Sequence, residues 1–342
     1  MSKIRLYLLI ALTNLSVFYT SVCAQEIQAG KIGESELYEF YSNFWFNMHH
    51  FFKQESLINS VKGTSVIEKA TLDKMTTGER SVLQAVIEYY KTELLDEDLR
   101  TSDLMSAFKQ WIIGRDEERL TDIPESLRGL SEQLQNAAAV YRKYFWADHQ
   151  AANKAVLEQN LDLIKGSEKR VSERLSDLTK SYWDNKKIRV DISYYAKASE
   201  RNLTNRPYTS LFPTHVVMNS SGKADTPRGN WLELLYHESS HHLILSSGGF
   251  VGGTIRDISQ VSGQRSPRQL WHAYLFYFSG VVTQAELKKQ GFDNYELYMV
   301  RNKVFSSYIP FLLEYLPSYI EHKVSLHKAT TDIVEAIRKS RE

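Results

Sequence analysis

The chain has 342 residues, of which 42% are hydrophobic and 12% aromatic, and its formal net charge is +1. That is enough apolar mass for one large or two modest cores, and the near-neutral balance implies no nucleic-acid partner. A single cysteine, Cys23, excludes intrachain disulfides and multi-thiolate metal sites.

The first predicted element is a signal peptide. Met1-Ser2-Lys3-Ile4-Arg5 is a short basic start, Leu6 to Tyr19 is mostly apolar, and Val22-Cys23-Ala24 leads to Gln25 as a cleavage region would. An uncleaved anchor is the competing reading. Val22 is bulky for the position before a lipidated cysteine, so the expected maturation is cleavage after Ala24. That step removes Lys3, Arg5 and the only thiol, turning a net charge of +1 into −1. No later run approaches the roughly 20 apolar residues that span a bilayer. The expectation is an exported body, periplasmic or secreted, with no stable membrane insertion.

From Gly33 to about Trp183 the apolar residues recur at helical spacing, with caps or breakers at Thr76-Thr77-Gly78, Asp122-Ile123-Pro124 and Lys165-Gly166. Aromatic stripes, such as Tyr38 to Tyr41, Phe44 to Phe46 and Tyr141 to Trp146, read as core. After Trp183 the pattern changes: Ile188 to Tyr194 alternates apolar and polar residues, and His215 to Asn219 follows a proline-containing loop, giving two short strands. Helical spacing returns from Trp231 to about Leu245, stops at Ser247-Gly248-Gly249, and resumes from about Pro267 to the C-terminus with a break near Gly291. The predicted fold class is mainly α with a small β-sheet (α+β). Its predicted divisions are a signal peptide (1–24), a helical N-terminal region (25–183) and a C-terminal region (184–342) packed against it that carries the chemistry.

That chemistry centres on His237-Glu238-Ser239-Ser240-His241. Residues four apart on an α-helix stand about 40° apart on one face, one turn above the other, so His237 and His241 can grip a single ion. Glu238 lies between them in azimuth and can reach a water at the metal without being a ligand. His242 points about 100° away and is expected outside the ligand set.

A zinc site of this kind needs a third protein ligand, and three residues compete for the role. His272 lies in the apolar run Leu270 to Phe278, where a buried imidazole must find a partner. Glu286 is on the continuation of the same helix, and Asp257 follows Gly253-Thr254-Ile255-Arg256.

From about Ile188 to Phe278 the order of strand, HExxH helix and more distant ligand resembles the zincin metallopeptidases. Ser247 stands where the metzincin branch would have histidine. A closer likeness is to a functionally uncharacterised group of exported bacterial zincin-like proteins. It rests on Arg189-Val190-Asp191, Pro213-Thr214-His215, the HExxH segment and Leu270-Trp271-His272-Ala273, and in the N-terminal half on Asn47 to Phe52 and Trp146 to Asn153. That group often has an acidic residue after the glycine corresponding to Gly280, where this chain has Val281.

The resemblance implies a zinc (Zn2+) metallopeptidase with His237, His241 and His272 as ligands, Glu238 as the catalytic base and a peptide or protein as substrate. Tyr274, Tyr277 and Arg301 are the candidate donors to a developing oxyanion. The strand at His215 to Asn219 would be the edge that pairs with an extended peptide. His49, His50 and His149 would be core histidines, or would approach the substrate if the helical half covers the site. Two rival readings are a non-enzymatic exported binding protein with a structural or vestigial zinc site, and a zinc amidase acting on a non-peptide bond.

Overall fold

The computed structural model describes residues 29–340 apart from 116–117, 184–185, 200–201, 212, 223–227, 245–248 and 264. The predicted signal peptide, Cys23 and Ser247 lie outside the described residues. The fold is mainly α with a small mixed five-stranded sheet, as expected, and 63% of it is helical. Among the described residues no helix is long and apolar enough to cross a membrane.

The elements run β1 (Lys31–Glu34), β2 (Tyr38–Tyr41), α1 (Phe44–Lys62), α2 (Lys69–Asp73), α3 (Thr77–Glu93), α4 (Asp103–Ile112), α5 (Arg128–Tyr141) and α6 (Ala147–Thr179). There follow β3 (Ile188–Ser193), β4 (Lys197–Ser199), β5 (Asn202–Arg206), β6 (Tyr208–Ser210), β7 (His215–Asn219), α7 (Arg228–Ser239) and α8 (Gly249–Val261). The chain closes with α9 (Leu270–Lys289), α10 (Tyr298–Arg301), α11 (Ile309–Ile320) and α12 (Leu326–Lys339). The large sheet has the order β1-β2-β3-β7-β6, and β4 pairs only with β5, antiparallel.

Three expectations need correction. Tyr38–Tyr41 is a strand, not a helix: in so short a segment Tyr38 and Phe40 are buried alternately with the less buried Glu39, and aromatic residues suit a half-buried pleat. Lys165-Gly166 does not break α6, which continues for 33 residues. One interior glycine costs a helix only about 1 kcal/mol, and here a Cβ would stand 3.1 Å from Gln290 Oε1, so the small residue serves packing. Finally, α8 occupies part of the stretch between Gly249 and Pro267 over which helical spacing was expected to be interrupted. Val251, Ile255 and Ile258 form its buried face at helical spacing.

The chain divides into two compact units. Among the described residues the first comprises 29–33, 40–154 and 191–206. At its centre α1 is buried on every side from Phe44 to Leu57, so its polar residues must be satisfied within the protein. Asn47 Oδ1 accepts from Asn153 Nδ2 and from the Tyr194 amide, both at 2.9 Å. Lys53 Nζ donates to the carbonyls of Leu94 and Leu95 just past the end of α3, where a cation is favoured.

The second unit comprises 34–39, 155–190 and 207–342. Glu168 of α6 ties down the β1–β2 turn, accepting from Ser35 Oγ at 2.6 Å and from the amides of Glu36 and Leu37 at 2.9 and 3.1 Å. In the same unit α7 and α9 cross at very short range. A Cβ on Gly229 would come within 2.6 Å of Leu287 Cδ1, and one on Gly280 within 2.9 Å of Glu233 Oε1. Pairing Glu233 with Gly280, His237 with Phe276 and His241 with His272 makes the two helices antiparallel. This close approach sets out the candidate site.

Candidate metal centre

The HExxH segment spans the end of α7 and a 3-10 turn, Ser240–His242. The α-helix therefore stops short of the expected Leu245. Its two serines account for the change. Ser239 Oγ donates to Leu235 O, and Ser240 Oγ donates to Tyr236 O at 2.7 Å, while His242 Nδ1 binds Ser239 O at 2.7 Å. Such side-chain bonds compete with the main-chain ladder and favour a tightened last turn.

The turn still brings His241 beside His237, with ring centroids 4.9 Å apart. His272, from the first turn of α9, completes a group in which one nitrogen of each imidazole lies within 4.8 Å of the others. The Nε2 atoms of His237 and His272 are 3.1 Å apart. Two nitrogens bound to one tetrahedral zinc at about 2.0–2.1 Å stand roughly 3.3 Å apart, so this spacing and the all-imidazole donor set fit zinc. His237 is buried, and His241 and His272 are half-buried. The centre is thus anchored on the protein side and reachable on the other.

Glu238 lies next to this group, its Oε2 3.7 Å from His241 Nε2. Thr209 Oγ1 of β6 is 2.8 Å from both Oε2 and the main-chain carbonyl of Glu238, so its one proton is shared between the two oxygens and ties Glu238 to the strand. β6 stands at one end of the sheet, with β1 at the other, whereas β7 lies between β3 and β6. The strand at this end of the sheet is therefore β6, and His215–Asn219 is an interior strand, not the edge expected. The cause is the return of β7 antiparallel to β6, with Thr209 opposite Val216, which covers one side of β7.

Aromatic rings enclose the imidazoles. Phe276 stacks on His237 with centroids 3.5 Å apart, Trp271 stacks on His272 at 5.0 Å, and Phe305 meets His272 edge-on at 5.1 Å. Phe305 and Lys303 both have left-handed backbone, at φ 55° and 54°. Each such non-glycine residue costs on the order of 1–3 kcal/mol, offset here by the contacts of Phe305 with His272 and Phe276.

The competing ligands lie elsewhere. Glu286 is buried, with Arg170 Nε at 2.7 Å on one oxygen and Lys289 Nζ at 2.6 Å on the other. Asp257 is exposed on α8 beside Arg256. Of the candidate oxyanion donors, Tyr274 donates to Thr330 Oγ1 at 3.1 Å, Arg301 donates to Asn230 and lies over the Tyr295 ring, and Tyr277 is buried. In the first unit His49 Nδ1 binds Tyr90 Oη at 2.7 Å, His50 Nδ1 binds Phe46 O at 2.9 Å and His149 Nδ1 binds Tyr141 Oη at 2.8 Å. These three are core histidines.

Sequence reasoning missed Thr209 and Glu233. Thr209 had no signal short of the strand pairing. Glu233 had one: it is the only charge in Trp231 to Tyr236 and is fully buried.

Burial, followed by the neighbouring His241 and His272, holds His237 well below the ordinary histidine range. Burial does the same to His49, aided by His50, and pushes His149 down to about 3. These folded-state values lie below the unfolded value of about 6.5. Between the two the unfolded chain binds protons that the folded chain does not, so the contribution is intact above pH 6.5 and lost as pH falls. Burial raises Glu233 to about 7, which acts in the opposite sense between pH 4.5 and 7. Burial raises Glu55 as well, and three histidines against these two carboxyls should make the metal-free protein acid-labile, by up to ~1.4 kcal/mol per pH unit for each histidine. The urea midpoint should fall between pH 7.5 and 5, and fall less in His149→Gln; equal slopes in the two proteins would contradict the assignment of His149.

Comparison of the chain with protein-family models, curated proteins and solved structures finds no match.

Proposed function

We propose that the chain is an exported zinc-dependent hydrolase acting on peptides, with His237, His241 and His272 as ligands and Glu238 as general base. The observation that carries this reading is the convergence of three imidazoles beside a carboxylate that Thr209 holds in place. A zinc ion held there would supply Lewis acidity for carbonyl hydrolysis.

The protein's own residues supply the remainder. Glu238 accepts the proton released by the attacking water and returns it to the leaving amine. Thr209 fixes the carboxylate through Oε2, so that it need not be oriented anew in each cycle. The terminal place of β6 in the sheet, with Thr209 bound to Glu238, supports a substrate that lies extended beside the centre. Phe276, Trp271 and Phe305 exclude water from one side of the imidazoles.

The test is elemental analysis of the purified chain together with hydrolysis of a mixed peptide library. Near-stoichiometric zinc and cleavage abolished by a chelator are expected. Zinc without cleavage of any peptide would favour the binding-protein or amidase reading, and no zinc after reconstitution would sink the metal centre itself.

A further inference from the structure

Glu233 is a buried carboxylate that the hydrolase reading does not use. It lies four residues before His237, hence one turn away on the same face of α7. Its Oε2 is fully engaged, accepting from Tyr295 Oη at 2.6 Å and from the Tyr298 amide at 2.9 Å. Its Oε1 is buried and has no hydrogen-bond partner among the described residues, and it lies in the space left by the missing side chain of Gly280.

His237 presents the complementary gap. Its Nε2 turns towards His272, and Phe276 lies flat against the ring. Its Nδ1 is buried and likewise has no partner among the described residues. His50 and His242 direct Nδ1 to a main-chain carbonyl, whereas His237 does not. A histidine that binds a metal through one nitrogen donates the other N–H to an acceptor, which fixes its tautomer and raises its basicity. Burying a carboxylate away from water is costly, and anchoring Tyr295 and Tyr298 uses only one of its oxygens.

We propose that Glu233 is a positioning residue of the metal centre: its Oε1 takes the Nδ1–H of His237 across one bridging water and keeps Nε2 turned to the ion. The proposal rests on the zinc-hydrolase reading. It also assigns a purpose to Gly280, since any side chain there would displace Oε1.

The experiment measures the zinc dissociation constant of the full chain by competition with a chromophoric chelator, for wild type, Glu233→Gln and Gly280→Ala, alongside thermal unfolding of the metal-free proteins. Glu233→Gln should weaken zinc binding about 10- to 100-fold, and Gly280→Ala, which changes no ligand and no charge, should weaken it in the same direction. A purely structural Glu233 would lower the melting temperature while leaving the affinity of the folded protein within twofold of wild type, and that result overturns the proposal. If Glu233→Gln does not fold, unchanged affinity in Gly280→Ala overturns it equally. A wild type that binds no zinc removes the metal centre, and this role with it, which is a different outcome from a wild type that binds zinc indifferently to Glu233.

Discussion

His272→Ala is expected to strip zinc from a chain that remains folded, and Glu286→Ala is expected to leave zinc content unchanged. His272 is half-buried at the start of α9, and its Nε2 is 3.1 Å from that of His237. Its loss removes one of three donors, so the affinity should fall by more than the about 10- to 100-fold that loss of an outer partner costs. A methyl group in place of the ring leaves space between Trp271 and Phe305, with a modest loss of stability because the site is already partly open to water. Glu286, by contrast, is satisfied by Arg170 and Lys289, whose side chains are 52% and 58% exposed and can return to solvent when the carboxylate is gone. Zinc-to-protein ratios after dialysis separate the cases. Zinc retained in His272→Ala but lost in Glu286→Ala would reverse the assignment.

The second large effect concerns Glu238. Glu238→Gln preserves the size of the side chain and an oxygen for Thr209 Oγ1, but not the capacity to accept a proton at neutral pH. Peptide hydrolysis should fall by about 10²- to 10⁴-fold, the range spanned by general-base catalysis, while bound zinc stays at the wild-type ratio. Initial rates and metal content must be measured on the same preparation, because loss of both would mark Glu238 as a structural residue and not a base. A protein whose task is binding would tolerate the substitution.

Much of the centre was legible because its logic is local. His237, Glu238 and His241 are fixed relative to one another by the pitch of one helix, and a lone histidine in the apolar run Leu270 to Phe278 demanded a partner wherever the chain carried it. What was not legible is long-range. Nothing in Tyr208-Thr209-Ser210 foretells that β6 will stand at one end of the sheet or that Thr209 will meet Glu238, because strand order arises from pairing between distant segments. Helix ends were misplaced for a related reason: Ser239 and Ser240 turn their hydroxyls onto main-chain carbonyls, and spacing alone does not show which competing bond wins. Gly166 and Gly249 read as punctuation in the sequence, whereas α6 runs through the first and α8 begins at the second.

The placing of Trp271 has an optical consequence. Its indole lies face to face with His272, the planes inclined by 15°, and edge-on to His241 with centroids 6.1 Å apart. It is one of six tryptophans in the chain, and it touches two of the three imidazoles. Any event that alters the charge or the freedom of those rings alters the surroundings of an intrinsic fluorophore at van der Waals range. Zinc added to the metal-free protein should therefore change the ultraviolet emission of the unlabelled chain, and that change should be lost in Trp271→Phe; emission indifferent to zinc would count against an ion beside Trp271.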